Sequence, residues 1–298
     1  MKKSLITAAV LLTLLLPLVV LDHQKYKIVG ILFLIVGVLF SMIASYEMIS
    51  MFCRKHETVK IYRFLMGIFS GLIVLAIHFS DKFSYPIDLL LFLFIVLAIM
   101  LITIFTKNST AYDMMAGIIT VVYCGLMLGY VINIRYLEPF PSDALIYLRG
   151  GRSFGYLYAI VAATDSFAFL FGMKFGKRRL APTISPKKSV EGAIAGLIGG
   201  SIVGVLAIFV FKIANYTNPT QLILIIIIGF FLSMFISFMV QIGDLVASKM
   251  KRTFEIKDFG NIFPGHGGVI DRFDSLIYAG TAYYIIVQVL EMLLTRWV

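Results

Sequence analysis

Long apolar segments constrain this chain more than any other feature of its sequence. Nine stretches have the roughly 18 or more mainly apolar residues that a helix needs to cross a hydrocarbon core of about 30 Å. They lie near residues 4–21, 28–51, 61–79, 87–106, 114–132, 153–173, 190–214, 222–247 and 273–295. The pattern predicts an all-α, polytopic integral membrane protein with about nine transmembrane helices.

The composition excludes a soluble protein. Hydrophobic residues make up 60% of the chain and charged residues 14%, with a mean hydropathy of +0.96, which the surface of a soluble domain cannot tolerate. The first apolar segment resembles a secretory signal, but no small-residue cleavage site follows it, so we interpret it as a retained helix. Most of the 26 Lys and Arg residues fall on one side if the N-terminus is cytoplasmic, as the positive-inside rule requires.

The segment Ser248–Asp274 concentrates the charged residues of the chain. It holds five Lys or Arg residues, four carboxylates, one His and four glycines between two apolar segments. Such a density beside lipid predicts an anionic ligand or a metal. His266 lies between two glycines rather than on an apolar face, which favours a functional role over a buried structural one.

The eighth apolar segment carries a polar stripe. Six residues recur at spacings of three or four, which places them on one face of a helix: Ser233, Ser237, Gln241, Asp244, Ser248 and Lys251. The stripe must face protein or a water-filled cavity, and it leads Asp244 towards the charged segment. Asp271 and Asp274 follow across a short loop, and Mg²⁺ prefers to bind through one or two carboxylates plus substrate phosphates. This set suits phosphoryl or nucleotidyl transfer.

Other candidates lie nearby. Asp165 interrupts the sixth apolar segment, where a carboxylate usually faces a bundle interior or a water-filled cavity, so it is a functional candidate. In the basic loop 175–192, Ser185 followed by Pro186 is typical of a helix N-cap with proline at the first helical position. Lys187 and Lys188 there would strengthen an anion site. We interpret Glu47 and Asp113 as carboxylates without a functional role, which either snorkel to the membrane interface or lie at a helix end.

The residues from 164 to 275 resemble the phosphatidate cytidylyltransferases, also called CDP-diacylglycerol synthases. The C-terminal part of the resemblance rests on Ser248, Lys251, Arg252, Lys257, Asp258, Gly260, Pro264, His266, Gly267, Gly268, Asp271, Arg272, Phe273 and Asp274. The upstream part rests on Thr164, Asp165, Ala168, Gly172, Phe175–Lys177, Ile184–Ser189, Glu191, Gly192, Gly243 and Asp244. One departure is Phe169, where the family is expected to have Tyr.

The resemblance implies a reaction and a set of roles. CTP and phosphatidic acid would give CDP-diacylglycerol and pyrophosphate with Mg²⁺, in a homodimer of the cell (inner) membrane whose active site faces the cytoplasm. Asp244 and Asp271 are expected to hold the metal, beside a possible second, monovalent cation such as K⁺. The residues expected to neutralise the substrate phosphates are Lys187, Lys188, Lys251, Arg252, Lys257 and Arg272. Those expected to orient these groups are Asp165, Asp258, His266 and Asp274, and those expected to contact substrate are Ser185, Ser248, Gly267 and Gly268.

This interpretation divides the chain into two regions. Residues 1–150 would be N-terminal helices for dimerisation or lipid access, and residues 151–298 a catalytic region with cytoplasmic loops 174–191 and 248–272. No nucleic acid partner is expected. A CTP-dependent polyprenol or phytol kinase is the alternative. A transporter is a remote one, because transporters show repeated halves and broken helices at the bilayer midplane.

Overall fold

The chain folds into helices with one small hairpin. The computed structural model describes residues 26–55, 60–80, 83, 85–137, 150–263, 265 and 267–295. The helices are α1 (Lys27–Phe52), α2 (Lys60–Ser80), α3 (Ile87–Phe105), α4 (Ala111–Thr120), α5 (Leu128–Asn133), α6 (Gly150–Phe175), α7 (Val190–Val210), α8 (Pro219–Thr253) and α9 (Ile270–Thr295). A π-helix (Val121–Met127) joins α4 to α5, and a 3-10 helix (Ile134–Tyr136) follows. The strands are β1 (Arg179–Ala181) and β2 (Ser185–Ser189).

The helical membrane architecture is confirmed. Within the described residues, eight helices are long and apolar enough to cross a membrane, counting α4 through the 3-10 helix as one. They correspond to the second to ninth predicted segments, and the first, 4–21, lies outside the described residues. Helices suit this setting because each satisfies its own backbone hydrogen bonds where no water is present.

The first of two compact units comprises the chain up to Asn133 together with Lys251–Phe273. Here α1 packs on α2, and both pack on the π-helix. The Ser41 hydroxyl donates to the Cys124 carbonyl oxygen at 2.7 Å, so a carbonyl of the π-helix has a buried partner. Ser45 and Ser70 join α1 to α2 through a 2.7 Å hydrogen bond between their hydroxyls.

The second unit comprises Ile134–Met250 and the chain from Asp274 onward. Helix α6 packs closely on α7, whose glycines recur every four residues. A Cβ at Gly196 would lie 2.8 Å from the Thr164 carbonyl oxygen, and one at Gly204 would lie 2.2 Å from the Ser233 hydroxyl. Small residues in this register let helices approach closely, so these glycines serve packing.

The polar stripe of α8 faces protein within the second unit, as predicted. Ser233 shares a hydrogen bond of 2.8 Å with Tyr156, and Ser237 one of 2.8 Å with Thr164. Gln241 donates its side-chain N–H to the Ala193 carbonyl oxygen at 3.0 Å. The stripe therefore joins α8 to α6 and α7 by buried hydrogen bonds.

The interpretation of Ser185 as a helix N-cap was wrong. Ser185 opens β2, which pairs antiparallel with β1 so that Ser185 faces Ala181. The cap of α7 is Ser189, whose hydroxyl accepts from the Gly192 backbone N–H at 3.1 Å. The Glu191 carboxylate accepts from the Lys177 N–H at 3.0 Å, which ties the chain entering the hairpin to the helix that leaves it. Proline at position 186 suits an edge strand as well as a helix start, which is why the sequence misled.

Candidate active site

Asp271 is the centre of the charged cluster in the first unit. Its side chain is 3% exposed. One carboxylate oxygen accepts from the Lys251 ammonium at 3.0 Å, and the other accepts from the backbone N–H groups of Phe259 at 2.7 Å and Gly268 at 3.0 Å. Since a buried acidic side chain needs a partner and hydrogen bonds, these three donors satisfy the Asp271 side chain in the first turn of α9.

Gly267, in the loop that precedes α9, leaves room for this carboxylate. Gly267 has a φ of +82°, a left-handed conformation that favours glycine. A Cβ there would also lie 2.8 Å from an Asp271 carboxylate oxygen. The Phe263 N–H donates to the Gly267 carbonyl oxygen at 2.9 Å, which closes the turn. The ring of Phe263 packs edge-on against Phe40 of α1 at 6.4 Å.

Glu47 belongs to the same cluster, and sequence reasoning missed it. Its side chain lies in α1 and is buried, with 3% exposure. Its two carboxylate oxygens accept from the backbone N–H groups of Val269 at 3.0 Å and Ile270 at 3.1 Å. The snorkelling interpretation of Glu47 was therefore wrong, whereas Asp113 is a helix-end charge that caps α4 with Thr110. No local signal could identify the partners of Glu47, because they lie 222 residues further along the chain.

Most of the remaining predicted residues of the first unit are exposed. Arg252, Lys257, Asp258 and Arg272 are all exposed. Lys251 is half-buried, with its ammonium 5.5 Å from the centre of the Phe259 ring. The described part of this unit thus contains Asp271 paired with Lys251 and, in the same segment of the chain, three exposed cations. His266 lies outside the described residues.

A second group of predicted residues comes together in the second unit. The Lys188 ammonium forms an ion pair with Asp244, whose other oxygen accepts from the Ser248 hydroxyl at 3.3 Å. Asp165 lies close enough to feel the charges of Asp244, Asp274 and Lys188. This unit therefore brings Asp165 near two other carboxylates and near the lysine that pairs with Asp244.

Gly243 explains how α9 comes near Asp244. A Cβ at this position would lie 2.9 Å from the Asp274 carbonyl oxygen and 2.8 Å from the Tyr278 Cβ. Only a residue without a side chain lets the two helices approach so closely. Gly243 thus brings Asp274 to the same end of the unit as Asp244.

The comparison with protein families decides the membership of the chain. The model of the cytidylyltransferase family matches residues 2–290. The chain belongs to this family. The match includes the N-terminal helices, for which the sequence motifs offered no assignment.

Curated relatives of this cytidylyltransferase share one name. A phosphatidate cytidylyltransferase of Staphylococcus saprophyticus is 35% identical over 284 residues, or 93% of this chain and 95% of the relative. One of Thermotoga maritima is 29% identical over 294 residues, or 98% of this chain and 97% of the relative. One of Bacillus subtilis is 37% identical over 188 residues, or 62% of this chain and 63% of the relative.

The carboxylates of this cytidylyltransferase have the donor chemistry that Mg²⁺ requires. A carboxylate has about four acceptor positions, of which Asp271 uses three and Asp244 two in the contacts described above. Among the described residues, no three His, Cys, Asp or Glu side chains form a group that could hold a metal ion. Mg²⁺ does not need such a group when substrate phosphates complete its shell, so the chemistry of each of these two carboxylates, taken by itself, is compatible with this ion.

The hairpin holds the last two predicted residues. Lys187 is exposed in β2, on the strand that also carries Lys188. Ser185 is half-buried and paired in register with Ala181. Anion binding by Lys187 and Lys188, which the sequence assigned to a helix start, stays a prediction for residues of this strand.

Proposed function

We propose that this cytidylyltransferase transfers the cytidylyl group of CTP to phosphatidic acid, producing CDP-diacylglycerol and pyrophosphate. The carrying observation is the match of relatives named phosphatidate cytidylyltransferase over 93% of the chain. The chemistry of the two charged clusters supports the same reaction, because both substrates are anionic and both clusters present exposed or half-buried cations.

The reaction joins two phosphates and needs little covalent work from the protein. An oxygen of the lipid phosphate attacks the α-phosphorus of CTP, and the bond from that phosphorus to the β-phosphate oxygen breaks. Pyrophosphate leaves with the electron pair. Catalysis of such a transfer consists mainly of positioning and of neutralising phosphate charge. The exposed side chains of Arg252, Lys257 and Arg272 are suited to that role. So are exposed Lys187 and half-buried Lys188, the second of which pairs with Asp244.

The metal assignment is part of the proposal. Asp244 and Asp271 would hold Mg²⁺, which supplies positive charge to the phosphate oxygens when bound. Lys188 and Lys251, which neutralise these carboxylates in the structure, would then be released towards substrate phosphates. A second, monovalent cation stays a prediction.

The orienting roles also stay predictions. Asp165, Asp258, His266 and Asp274 would direct the cations and the metal, and Ser185, Ser248, Gly267 and Gly268 would contact substrate. Asp165 and Asp274 are supported by their place beside Asp244. Gly267 is supported by the room it leaves around Asp271, and Gly268 by its backbone N–H, which donates to Asp271.

We also propose that the active site faces the cytoplasm in the inner membrane and that the protein is a homodimer. The excess of Lys and Arg on one side supports a cytoplasmic placement of the charged loops. An active site on that side would also meet CTP, which is a cytoplasmic nucleotide. The dimer follows from the family resemblance.

The test uses the purified full chain in detergent with phosphatidic acid, Mg²⁺ and CTP labelled at the α-phosphate. The expected result is labelled CDP-lipid from the wild type and none from Asp271→Asn. If CDP accumulates instead and a lipid alcohol becomes phosphorylated, the chain is a CTP-dependent lipid kinase and the proposal is wrong. If no CTP is consumed in the presence of phosphatidic acid, the proposed activity is also wrong.

A further inference from the structure

Glu47 forms an unusual contact for a residue in a transmembrane helix. Its carboxylate accepts from the N–H groups of Val269 and Ile270, one per oxygen, at 3.0 and 3.1 Å. These N–H groups lie at the start of α9, where no carbonyl of the helix can reach them. Helix N-termini also favour negative charge. Helix α1 thus supplies the cap of α9 from a distant part of the sequence.

The glycine-rich loop closes around this carboxylate. A Cβ at Gly260 or at Gly268 would lie 2.2 Å from the same Glu47 oxygen. Neither glycine has a positive φ, so the backbone at both positions would accept another residue. It is the space taken by the Glu47 side chain that excludes one.

Glu47 and Asp271 hold consecutive amides of a single turn. The Gly268 N–H donates to Asp271 at 3.0 Å, and the next two N–H groups donate to Glu47. Moving the Glu47 carboxylate would therefore release the two peptides next to the one that donates to Asp271. Asp271, which accepts from Lys251, is held by that neighbouring donor together with the Phe259 N–H.

We propose that Glu47 is a positioning residue of the active site, holding the turn Gly268–Ile270 so that Asp271 keeps one orientation. The inference rests on the proposed function, in which Asp271 serves the transfer from CTP. It gives α1 a part in catalysis, although the sequence motifs all lie in the other half of the chain. Glu47 itself touches neither substrate nor metal.

The informative variant is Glu47→Gln. Glutamine has the same length as glutamate, but its side chain has only one accepting oxygen. Its NH₂ group would face a backbone N–H. One of the two hydrogen bonds is lost and two donors oppose each other. Removing a group that orients a metal ligand typically costs 10–100-fold in activity or metal affinity, so we expect kcat to fall by roughly that factor.

Two measurements on the full chain in detergent separate positioning from a general loss of stability. Hydrogen exchange followed by mass spectrometry should become faster in the segment 259–271 and stay unchanged elsewhere. The thermal unfolding midpoint should stay close to that of the wild type. The matched control is Glu255→Gln, which removes an exposed carboxylate from the same loop and should leave kcat, exchange and unfolding as in the wild type.

The inference is overturned if Glu47→Gln keeps kcat within about twofold of the wild type, or if exchange rises along the whole chain. If the wild type makes no CDP-lipid, the proposed function fails separately, and exchange in 259–271 still decides whether Glu47 holds the turn. If Glu47→Gln does not accumulate, Gly260→Ala takes its place, because the added methyl meets the Glu47 carboxylate. Wild-type activity in Gly260→Ala would contradict the proposal.

Discussion

Asp271 shows how a single residue couples stability to chemistry in this family member. A carboxylate with 3% exposure is costly unless its charge is balanced, and Lys251 together with two backbone N–H groups balances it. The same ammonium is one of the cations proposed to meet substrate phosphate. Removing it should therefore affect folding as well as turnover.

We expect Lys251→Met to lower the free energy of unfolding by about 3 kcal/mol, since removing one partner of a buried pair leaves an uncompensated charge. Activity should be lost in the same variant. The measurement is the unfolding midpoint in detergent together with CDP-lipid formation. The double variant Lys251→Met with Asp271→Asn should be more stable than Lys251→Met alone, because no unpaired charge remains.

Lys249→Met is the matched control for that variant. Lys249 lies two residues earlier in α8 and is exposed, so its replacement should change the unfolding free energy by no more than about 0.5 kcal/mol. Equal destabilisation by both substitutions would mean that any positive charge at this end of α8 is stabilising. The pair between Lys251 and Asp271 would then have no special effect on stability.

Gly267 and Gly265 separate backbone strain from contact with Asp271. Both have positive φ values, of 82° and 78°, so alanine at either position should cost about 1–2 kcal/mol of stability. A Cβ at Gly267 also meets Asp271 at 2.8 Å, whereas Gly265 is exposed. We expect Gly267→Ala to lose activity and Gly265→Ala to keep most of it, measured as kcat at saturating substrates.

At the scale of the element, the hairpin between α6 and α7 replaces the helix start that the sequence suggested. Its strands are tied to α7 by the Glu191 carboxylate and by the hydrogen bond from the Val190 N–H to the Arg178 carbonyl oxygen at 2.9 Å. Lys187 and Lys188 are therefore carried on a short strand, and the positive end of α7 begins only after Ser189.

This assignment of the cap can be tested with two serine variants. Ser189→Ala should lower the unfolding free energy by about 1 kcal/mol, because a helix N–H loses its acceptor. Ser185→Ala should change it by no more than about 0.5 kcal/mol, since Ser185 lies in a strand and caps no helix. The unfolding midpoints of the two variants are compared with that of the wild type. A larger loss of stability in Ser185→Ala than in Ser189→Ala would indicate that Ser185 is the cap.

The helices could be predicted from sequence because length and apolarity are local properties. The same holds for the stripe of α8, where a regular spacing of polar residues identified the face that contacts α6 and α7. The hairpin was missed because Ser185 and Pro186 satisfy the local rules for a strand and for a helix start alike. The role of Glu47 was missed because it depends on hydrogen bonds from the Val269 and Ile270 amides, which only folding brings near Glu47.

At the scale of the whole molecule, α8 links the membrane to the charged segment. A helix of 35 residues is about 52 Å long at 1.5 Å per residue, which exceeds a hydrocarbon core of about 30 Å. Its charged end, with Lys249, Lys251 and Arg252, therefore extends past the apolar part of the bilayer. Charged residues beyond the apolar part of the bilayer can contact a water-soluble nucleotide while the rest of the helix remains in lipid.

The topology follows from the same reasoning and can be measured in intact cells. Single cysteines at Lys177, Asn215 and Lys257, all exposed positions, are introduced into a chain in which Cys53 and Cys124 are replaced by serine. A membrane-impermeant thiol reagent added outside should label only the Asn215→Cys protein, because the loop between α7 and α8 is expected on the outer side. The other two should react only after the membrane is opened. Labelling of Lys177→Cys and Lys257→Cys from opposite sides would contradict the proposed orientation, in which both loops are cytoplasmic.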